Sequence, residues 1–424
     1  MSMNGQSLPG ADNITRVTLA NGVTVLVYEN FAAQSVVISG SLNAGAIHES
    51  ASQKGLASLT AAALMRGTQN RDFTAIHAAL EDIGADINVA ANNHRVSFSG
   101  KSLAEDLPTL LDVLADVLRR PTFPTPDVER LRGEVITGLQ IRMQDTRYRA
   151  NRAFHEALYP AEHPYHHSVR GTIESVKALL VEDLAAFHQR HYGPTGMILV
   201  IVGAVKAADA VETARAMFED WDNPNQPPAP ELPAVPPRRE KELVKVTLPG
   251  KTQADIVLGV VGLSRFAPDY HAAQLANSVV GQFGMMGRIG RSVREDLGLA
   301  YYAYSQMDAG LGAGPWMVSA GVNPANVELA IDRIVEELRR LVSEPVTADD
   351  LSDNQSYFVG HLPLQLETNE GLAGTIHNME LYGLGLDYLR TYRDKIMALT
   401  ADDLLAAARR YLNPDGLVIA VAGP

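Results

Sequence analysis

The chain has 424 residues, of which 46% are hydrophobic and 20% are charged, with a formal net charge of −13 and no cysteine. This length and composition are those of a globular protein with two or more domains. The acidic balance argues against a nucleic-acid partner, because binding to phosphate backbones relies on clustered lysine and arginine. The lack of cysteine excludes disulfides, thiolate zinc sites and cysteine nucleophiles.

No segment approaches the roughly 18 apolar residues of a membrane span. Residues 1–12 are polar and glycine-rich, without the apolar stretch of a signal peptide. We therefore expect no membrane partner. The expected location is the cytoplasm, or the periplasm if a signal peptide has been removed.

The first elements are strands. Residues 16–19 and 23–28 flank Asn21-Gly22 and predict a β-hairpin. Residues 35–42 and 94–99 supply further strands. In the second part of the chain, apolar residues from Val327 to Val342 recur at the spacing of a helix that buries one face. Strands interspersed with helices predict the α+β class.

A proline-rich segment divides the chain into nearly equal parts. Half of the residues in 224–237 are proline, which predicts an extended, semi-rigid connector. We expect an N-terminal α+β domain over residues 1–222, a linker over 223–241 and a C-terminal α+β domain over 242–424.

The two parts carry a repeated pattern. Asp183-Leu184-Ala185-Ala186, followed by Pro194, Gly196 and Gly203, recurs 220 positions later as Asp403-Leu404-Leu405-Ala406, followed by Pro414, Gly416 and Gly423. In each copy a helix precedes a Pro-x-Gly turn and an apolar strand, at residues 197–202 and 417–422. Self-similarity over this period indicates a duplicated domain.

Several segments resemble the pitrilysin/insulinase family of zinc metallopeptidases, and the resemblance covers nearly the whole chain. Residues 55–64 read GLASLTAAAL, where the family reads roughly G-L-A-H-x-x-E-H-x-L. Residues 293–301 read VREDLGLAY and resemble the family's L-R-E-K-x-G-L-A-Y segment. Further matches lie at Tyr159-Pro160, His163-Pro164-Tyr165 and Tyr192-Gly193-Pro194. The resemblance implies two homologous α+β halves that close as a clamshell over a peptide-binding chamber.

The positions that bind zinc in the family have lost their ligands here. The two histidines and the catalytic glutamate of H-x-x-E-H correspond to Ser58, Ala62 and Ala61. The family's later glutamate ligand corresponds to Leu139, and a supporting glutamate corresponds to Arg132. Zinc requires imidazole, thiolate or carboxylate ligands, so we expect no metal in this chain.

The second half retains the other part of the family's site. In the family, the arginine and tyrosine of R-x6-Y bind substrate carbonyls and stabilise the tetrahedral intermediate. The same spacing assigns these roles to Arg294 and Tyr301. Two-chain members of the family place the zinc site on one subunit and the arginine and tyrosine on the other, and this chain resembles the second type.

A glycine-rich stretch precedes the arginine. The family's G-G-G-x-x-S-R-L segment corresponds to residues 281–289, with Gly281, Gly284 and Gly287 retained. No Lys-Ser/Thr follows, so the stretch is not a phosphate-binding loop. We expect these glycines to allow a substrate backbone or a partner chain to approach closely.

Other chemical groups have simpler interpretations. Ser58 lacks both a G-x-S-x-G elbow and an evident histidine base, which argues against a nucleophile. His163, His166 and His167 are expected to pack in turns or at the surface. His188 and His191 lie three apart on a predicted helix, a spacing that could hold a metal, but two ligands do not make a site.

Three hypotheses for function remain open. The first is the zinc-free subunit of a heterodimeric peptidase, inactive alone, whose homologous partner carries H-x-x-E-H and zinc and whose substrates are peptides. The second is an inactive scaffold or peptide-binding protein of the same fold. The third is a self-sufficient enzyme with a different site. The sequence leaves open the partner's identity, the cleavage specificity and any homodimer.

Overall fold

The computed structural model describes residues 2–3, 6–282 and 287–424. Its strands are β1 Ser2–Met3, β2 Gln6–Ser7, β3 Ile14–Thr18, β4 Thr24–Glu29, β5 Ser35–Leu42, β6 Asp86–Ala91, β7 Val96–Leu103, β8 Ile198–Gly203, β9 Glu242–Thr247, β10 Ala254–Val261, β11 Ala300–Met307, β12 Pro315–Val322 and β13 Val418–Gly423.

The α-helices are α1 Leu56–Ala63, α2 Phe73–Glu81, α3 Leu107–Arg119, α4 Thr125–Arg142, α5 Thr146–Leu158, α6 Ile173–Ala178, α7 Val181–His191, α8 Ala207–Phe218, α9 Tyr270–Gly281, α10 Val327–Ser343, α11 Ala348–Gln365, α12 Asn369–Leu381, α13 Tyr388–Met397 and α14 Ala401–Tyr411. Short 3-10 turns lie at Ala46–His48, Leu64–Arg66, Ala104–Asp106, Pro164–His166 and Pro324–Asn326, and a π-helical turn at Gly290–Glu295. Within the described residues, no helix is both long enough and apolar enough to cross a membrane.

The chain forms two compact units, each built around one sheet. The first unit contains Met1–Gly138, Ser168–Glu231 and Leu362–Thr391, and the second contains Leu139–His167, Leu232–His361 and Tyr392–Pro424. The predicted α+β class is confirmed. Each unit contains segments from both sides of the proline-rich segment. The expected division of the chain at residues 223–241 therefore describes the repeat in the sequence, and it stays a prediction.

The two sheets share one topology. The order β6-β7-β5-β8-β4 in the first sheet matches β11-β12-β10-β13-β9 in the second. In both, the last pair is parallel and the other neighbours in this series are antiparallel. The first sheet adds β3, which pairs with β4 as the predicted hairpin. The matching order confirms the duplication inferred from the repeated sequence.

Each sheet has a core on both faces. In the first unit, one core contains apolar residues of α1, α3, α7 and α8, and the other contains Leu372, Ala373, Ile376 and Met379 of α12. In the second unit, one core contains residues of α9, α10 and α14, and the other contains Ala150, Ala153, Phe154 and Leu158 of α5. A fully buried Leu, Ile, Met or Phe side chain contributes about 1.5–3 kcal/mol.

The two halves of the sequence exchange a helix. Helix α5 precedes the linker yet contacts β10 and β13 of the second sheet, whereas α12 follows the linker and contacts β5 and β8 of the first sheet. Both helices have 13 residues, and both follow an 18-residue helix, α4 or α11. The exchange is therefore a property of the repeat itself.

The proline-rich segment lacks helix and strand, as expected. It is nevertheless anchored, because Leu232 and Val235 pack against the apolar core that contains α5. The segment is thus part of the second unit from Leu232 onward.

Candidate functional site

Helix α1 carries three of the four degenerate metal positions. Ala61 has no solvent exposure and belongs to the first apolar core, while Ser58 and Ala62 are half-buried. Leu139 is buried on α4, in the part of that helix that belongs to the second unit. Two methyl groups, a hydroxyl and a branched alkyl group are the side chains at these positions. They supply none of the ligands that zinc prefers.

A half-buried carboxylate holds the N-terminus of α1. Glu49 accepts hydrogen bonds from the amides of Gly55 and Ala57 at 3.2 and 2.8 Å. Burial raises the pKa of Glu49 to about 7, although these two hydrogen bonds favour its charged form. Glu49 thus stabilises the helix by capping it, and both oxygens already have partners.

Arg132 and Glu134 on α4 are engaged in local ion pairs. Arg132 binds Glu129 at 3.0 Å and donates to the carbonyl of Val176. Glu134 binds Arg66 at 2.8 Å, and the guanidinium of Arg66 lies 5.3 Å from the ring centroid of Phe73. Arg132, predicted to stand in place of the family's supporting glutamate, therefore joins α4 to α6.

The predicted histidines act in packing. His163 Nδ1 accepts from the amide of Tyr165 at 3.0 Å, and His166 Nδ1 lies 2.8 Å from the carbonyl oxygen of Tyr159. His167 Nε2 lies 2.9 Å from the carbonyl oxygen of Ala161. These contacts agree with the expected turn-packing role.

His188 and His191 do not converge on a common site. His188 Nε2 lies 2.8 Å from the carbonyl oxygen of Leu118, whereas the ring of His191 lies 4.5 Å from that of His48. Burial lowers the pKa of both His188 and His191 to about 4. Among the described residues, no group of three or more His, Cys, Asp or Glu side chains is placed to hold a metal ion.

One serine–histidine contact was not predicted from the sequence. Ser41 Oγ lies 2.7 Å from Nε2 of His377 and accepts a hydrogen bond from Arg95 Nε at 2.7 Å. Ser41 has no solvent exposure, and burial lowers the pKa of His377 to about 4. A substrate cannot reach this hydroxyl, so the contact serves to join β5, α12 and the residue that precedes β7.

The Arg294–Tyr301 segment links a π-helical turn to strand β11. Arg294 is half-buried at the end of the turn Gly290–Glu295. Gly298 follows with a φ of +60°, a left-handed conformation that favours glycine. The amide of Gly298 donates to the carbonyl of Arg294 at 3.0 Å, and that of Leu299 donates to Val293 at 2.9 Å. These bonds fix the backbone between Arg294 and the start of β11.

Tyr301 is the extra residue of a β-bulge. Ala300 pairs with Val322 and Tyr302 pairs with Gly321, so Tyr301 has no partner in the register of β11 and β12. Its side chain is 66% exposed. Bulges commonly redirect a side chain next to a functional site, and here the phenol is available to a molecule outside this sheet.

Gly281 and Gly287 of the glycine-rich stretch pack closely inside the second unit. A Cβ at Gly281 would lie 2.3 Å from the Cβ of Ser305 on β11, and one at Gly287 would lie 2.6 Å from the amide nitrogen of Gly281. Gly284 lies outside the described residues. Close approach does explain the two described glycines, but the approaching groups belong to the same unit. Approach by a substrate or a partner chain stays a prediction.

Comparison with known proteins decides the family. Residues 24–172 match the model for insulinase, peptidase family M16, and residues 179–357 match that for the peptidase M16 inactive domain. The chain belongs to the insulinase family. The M16 resemblance drawn from residues 55–64 and 293–301 is thereby confirmed.

Curated M16 relatives match along most of their length. A Streptomyces coelicolor protein named as an uncharacterized zinc protease is 26% identical over 95% of this chain and 88% of its own. The Saccharomyces cerevisiae mitochondrial-processing peptidase subunit beta is 25% identical over 89% of this chain and 83% of its own. The names of these relatives describe zinc proteases or a processing peptidase, whereas the degenerate metal positions of this chain do not fit zinc.

Solved structures share the fold of the M16 family. The peptidase M16 inactive domain from Pseudomonas fluorescens is 25% identical, with a TM-score of 0.88 and coverage of 97% of this chain and 98% of its own. A protease from Helicobacter pylori has a TM-score of 0.90 at 20% identity, with coverage of 98% and 100%. The second likeness, at this low identity, concerns the fold alone.

Proposed function

We propose that this chain is the zinc-free subunit of a two-chain M16 peptidase, in which Arg294 and Tyr301 act on a peptide bound at the zinc site of a homologous partner. The partner carries H-x-x-E-H and the metal, and the substrates are peptides. The observation that carries this proposal is the exposed Tyr301 on a β-bulge, in a chain whose metal positions are Ser58, Ala61, Ala62 and Leu139.

The chemistry of peptide hydrolysis favours a role for these two side chains. Attack on a peptide carbonyl places negative charge on its oxygen, and fixed cationic or phenolic donors stabilise that charge. The backbone hydrogen bonds at Gly298 and Leu299 hold the segment between Arg294 and Tyr301, which reduces the reorganisation needed when charge develops. A scaffold that only assembles with other chains has no need of such donors.

The first experiment identifies the partner. The tagged chain is isolated under mild conditions from its native cell, and stoichiometric companions are identified by mass spectrometry. A companion of similar length that carries H-x-x-E-H supports the proposal. If the chain is recovered alone or as a homodimer, the inactive scaffold becomes the better explanation.

The second experiment tests the assigned arginine. The two purified chains are mixed, and cleavage of a fluorogenic peptide is measured against each chain alone. Arg294→Ala is expected to lower turnover by about 100-fold or more without preventing assembly. Arg291→Ala is the matched control, because Arg291 is an exposed cation on the same π-helical turn but outside the R-x6-Y spacing. Wild-type turnover in Arg294→Ala would refute the role of that residue.

A further inference from the structure

Tyr302, the neighbour of Tyr301, lies in a row that crosses three strands. In the register of the second sheet, Tyr302 of β11 is opposite Gly321 of β12, and Gly321 is opposite Asp255 of β10. A Cβ at Gly321 would lie 2.5 Å from Cε1 of Tyr302. The ring of Tyr302 therefore lies over the space that a side chain at Gly321 would fill, and its hydroxyl donates a hydrogen bond to Asp255 Oδ1.

Asp255 is a fixed acceptor for this hydroxyl. It is only 1% exposed, and Thr146 Oγ1 donates to its Oδ2 at 2.5 Å. The side-chain amide of Gln253 lies 3.0 and 3.1 Å from its two oxygens. A buried carboxylate with several donors is held firmly, so the position of the Tyr302 hydroxyl is held as well.

The exchanged helix α5 covers the same ring. Besides Thr146, it supplies Arg147, whose guanidinium carbon lies 4.7 Å from the ring centroid of Tyr302 and 5.4 Å from that of Tyr304. Such cation–π contacts favour a fixed ring. Burial and the nearby Asp255 carboxylate both raise the pKa of Tyr302, which keeps the hydroxyl protonated as a donor.

We infer that Tyr302, Asp255 and Gly321 are positioning residues that set the bulge and thereby display Tyr301. Tyr301 and Tyr302 are adjacent in β11. A shift of the β11 register by one residue would exchange the faces of the sheet on which their side chains lie, since successive side chains of a strand point to opposite faces. Tyr302 crosses Gly321 and donates a hydrogen bond to Asp255, which selects Tyr302 for the inner place, the position over Gly321. Tyr301 is then left as the exposed residue of the bulge. The catalytic consequence of this placement rests on the proposed function.

The positioning is tested on the isolated chain by tyrosine nitration with tetranitromethane, mapped by mass spectrometry. Tyr302→Phe removes the hydroxyl that binds Asp255, and Tyr301 is then expected to move to the inner place and to be nitrated at least several-fold more slowly. Tyr304→Phe is the matched control, because it removes a hydroxyl two residues along the same strand that contacts Arg147 and not Asp255. It is expected to leave Tyr301 as reactive as in the wild type.

Nitration of Tyr301 at the wild-type rate in Tyr302→Phe would overturn the inference. Circular dichroism of both variants establishes that they are folded, and Gly321→Ala provides a second variant, because its methyl group would displace the ring of Tyr302. An unchanged ratio of Tyr301 to Tyr302 nitration in Gly321→Ala would also count against the inference.

Activity of the mixed subunits then separates this inference from the proposed function. Tyr302→Phe is expected to lower kcat by about 10-fold, and to have no further effect in a chain that already carries Tyr301→Phe, since a positioning residue acts through its target. Full activity in Tyr301→Phe would refute the proposed function and leave the nitration result to decide on the bulge. If the losses of kcat from Tyr302→Phe and Tyr301→Phe are additive in the double variant, the positioning role is refuted and the proposed function is not.

Discussion

Helix α1 and the Arg294–Tyr301 segment present opposite kinds of side chain, apolar and buried in the first and polar and accessible in the second. Helix α1, predicted to correspond to the metal helix of the family, has an N-terminus held by Glu49, but Ala61 and Ala62 carry no ligand and Ala61 is part of the core. The Arg294–Tyr301 segment keeps its polar side chains and displays one of them on a bulge. Packing alone thus accounts for α1, whereas an exposed phenol at a bulge has little value for packing.

The largest effect is expected from returning the family's glutamate to α1. Ala61→Glu places an unpaired carboxylate in the core, and we expect it to lower the free energy of unfolding by about 4 kcal/mol. Chemical denaturation monitored by circular dichroism measures the change. Ser58→His, at a half-buried position of the same helix, is the comparison and is expected to cost much less. Equal stability of the two variants would mean that α1 does not pack as described.

The second expected effect concerns the exposed tyrosine. In the mixed subunits, Tyr301→Phe is expected to lower turnover by about 100-fold, or about 2.7 kcal/mol of transition-state stabilisation. The thermal stability of the chain should not change, because the side chain is 66% exposed. Tyr357→Phe, at a tyrosine of the same unit that is 45% exposed, should leave turnover unaltered. A fall in stability together with activity would indicate a structural role for Tyr301.

Acid is expected to destabilise the first unit through four of its histidines. Burial lowers the pKa of His188, His191 and His377 to about 4 and also lowers the pKa of His48. In the unfolded chain these histidines bind protons near pH 6.5. Their contribution to the free energy of unfolding is therefore present above that pH and is lost as the pH falls toward 4.

Protonation of His191, which is 7% exposed, is expected to lower the free energy of unfolding by roughly 1–3 kcal/mol. Thermal unfolding at pH 7 and pH 5 measures it, and His191→Phe should reduce the difference between the two. The ring nitrogen Nδ1 of His191 has no hydrogen-bond partner, so the variant leaves no new unpaired group there. An unchanged difference would mean that His191 does not contribute to the acid sensitivity.

Glu49 is expected to affect the pH dependence of stability in the opposite direction to the histidines, and more weakly. Its pKa is raised to about 7, so its favourable contribution is present below pH 4.5 and is lost as the pH rises through 7. Glu49→Gln keeps an acceptor for the amides of Gly55 and Ala57 and should change stability at pH 7 by about 1 kcal/mol or less. Relative to the wild type, it should gain stability between pH 5 and pH 8. A loss over that range would contradict the raised pKa.

Much of the fold follows from the sequence because local patterns repeat. The 220-residue repeat predicted a duplicated domain, and strand 35–42 and the helix from Val327 were predicted at their observed positions. The predicted strand 94–99 begins later and runs longer, as β7. The exchange of α5 and α12 could not be predicted, because the apolar face of a helix does not specify which of two similar sheets it covers.

The candidate site could be predicted from the sequence where residue identity and spacing alone indicate a role. The residues at the positions predicted for zinc and the R-x6-Y spacing can be read directly from the chain. The assignment of the zinc positions and the roles of Arg294 and Tyr301 stay predictions. The link between Tyr302 and Asp255 joins residues 47 positions apart, and it depends on register and on the space over Gly321. The adjacent tyrosines 301 and 302 were a signal, but only the strand pairing distinguishes them.

The helix exchange has a consequence for synthesis on the ribosome. The strands of the first sheet leave the ribosome early, yet the face that receives Leu372, Ile376 and Met379 stays uncovered until α12 has been translated, near the end of the chain. During that interval a broad apolar surface is open to aggregation. Folding of the first sheet is completed only after translation of most of the second.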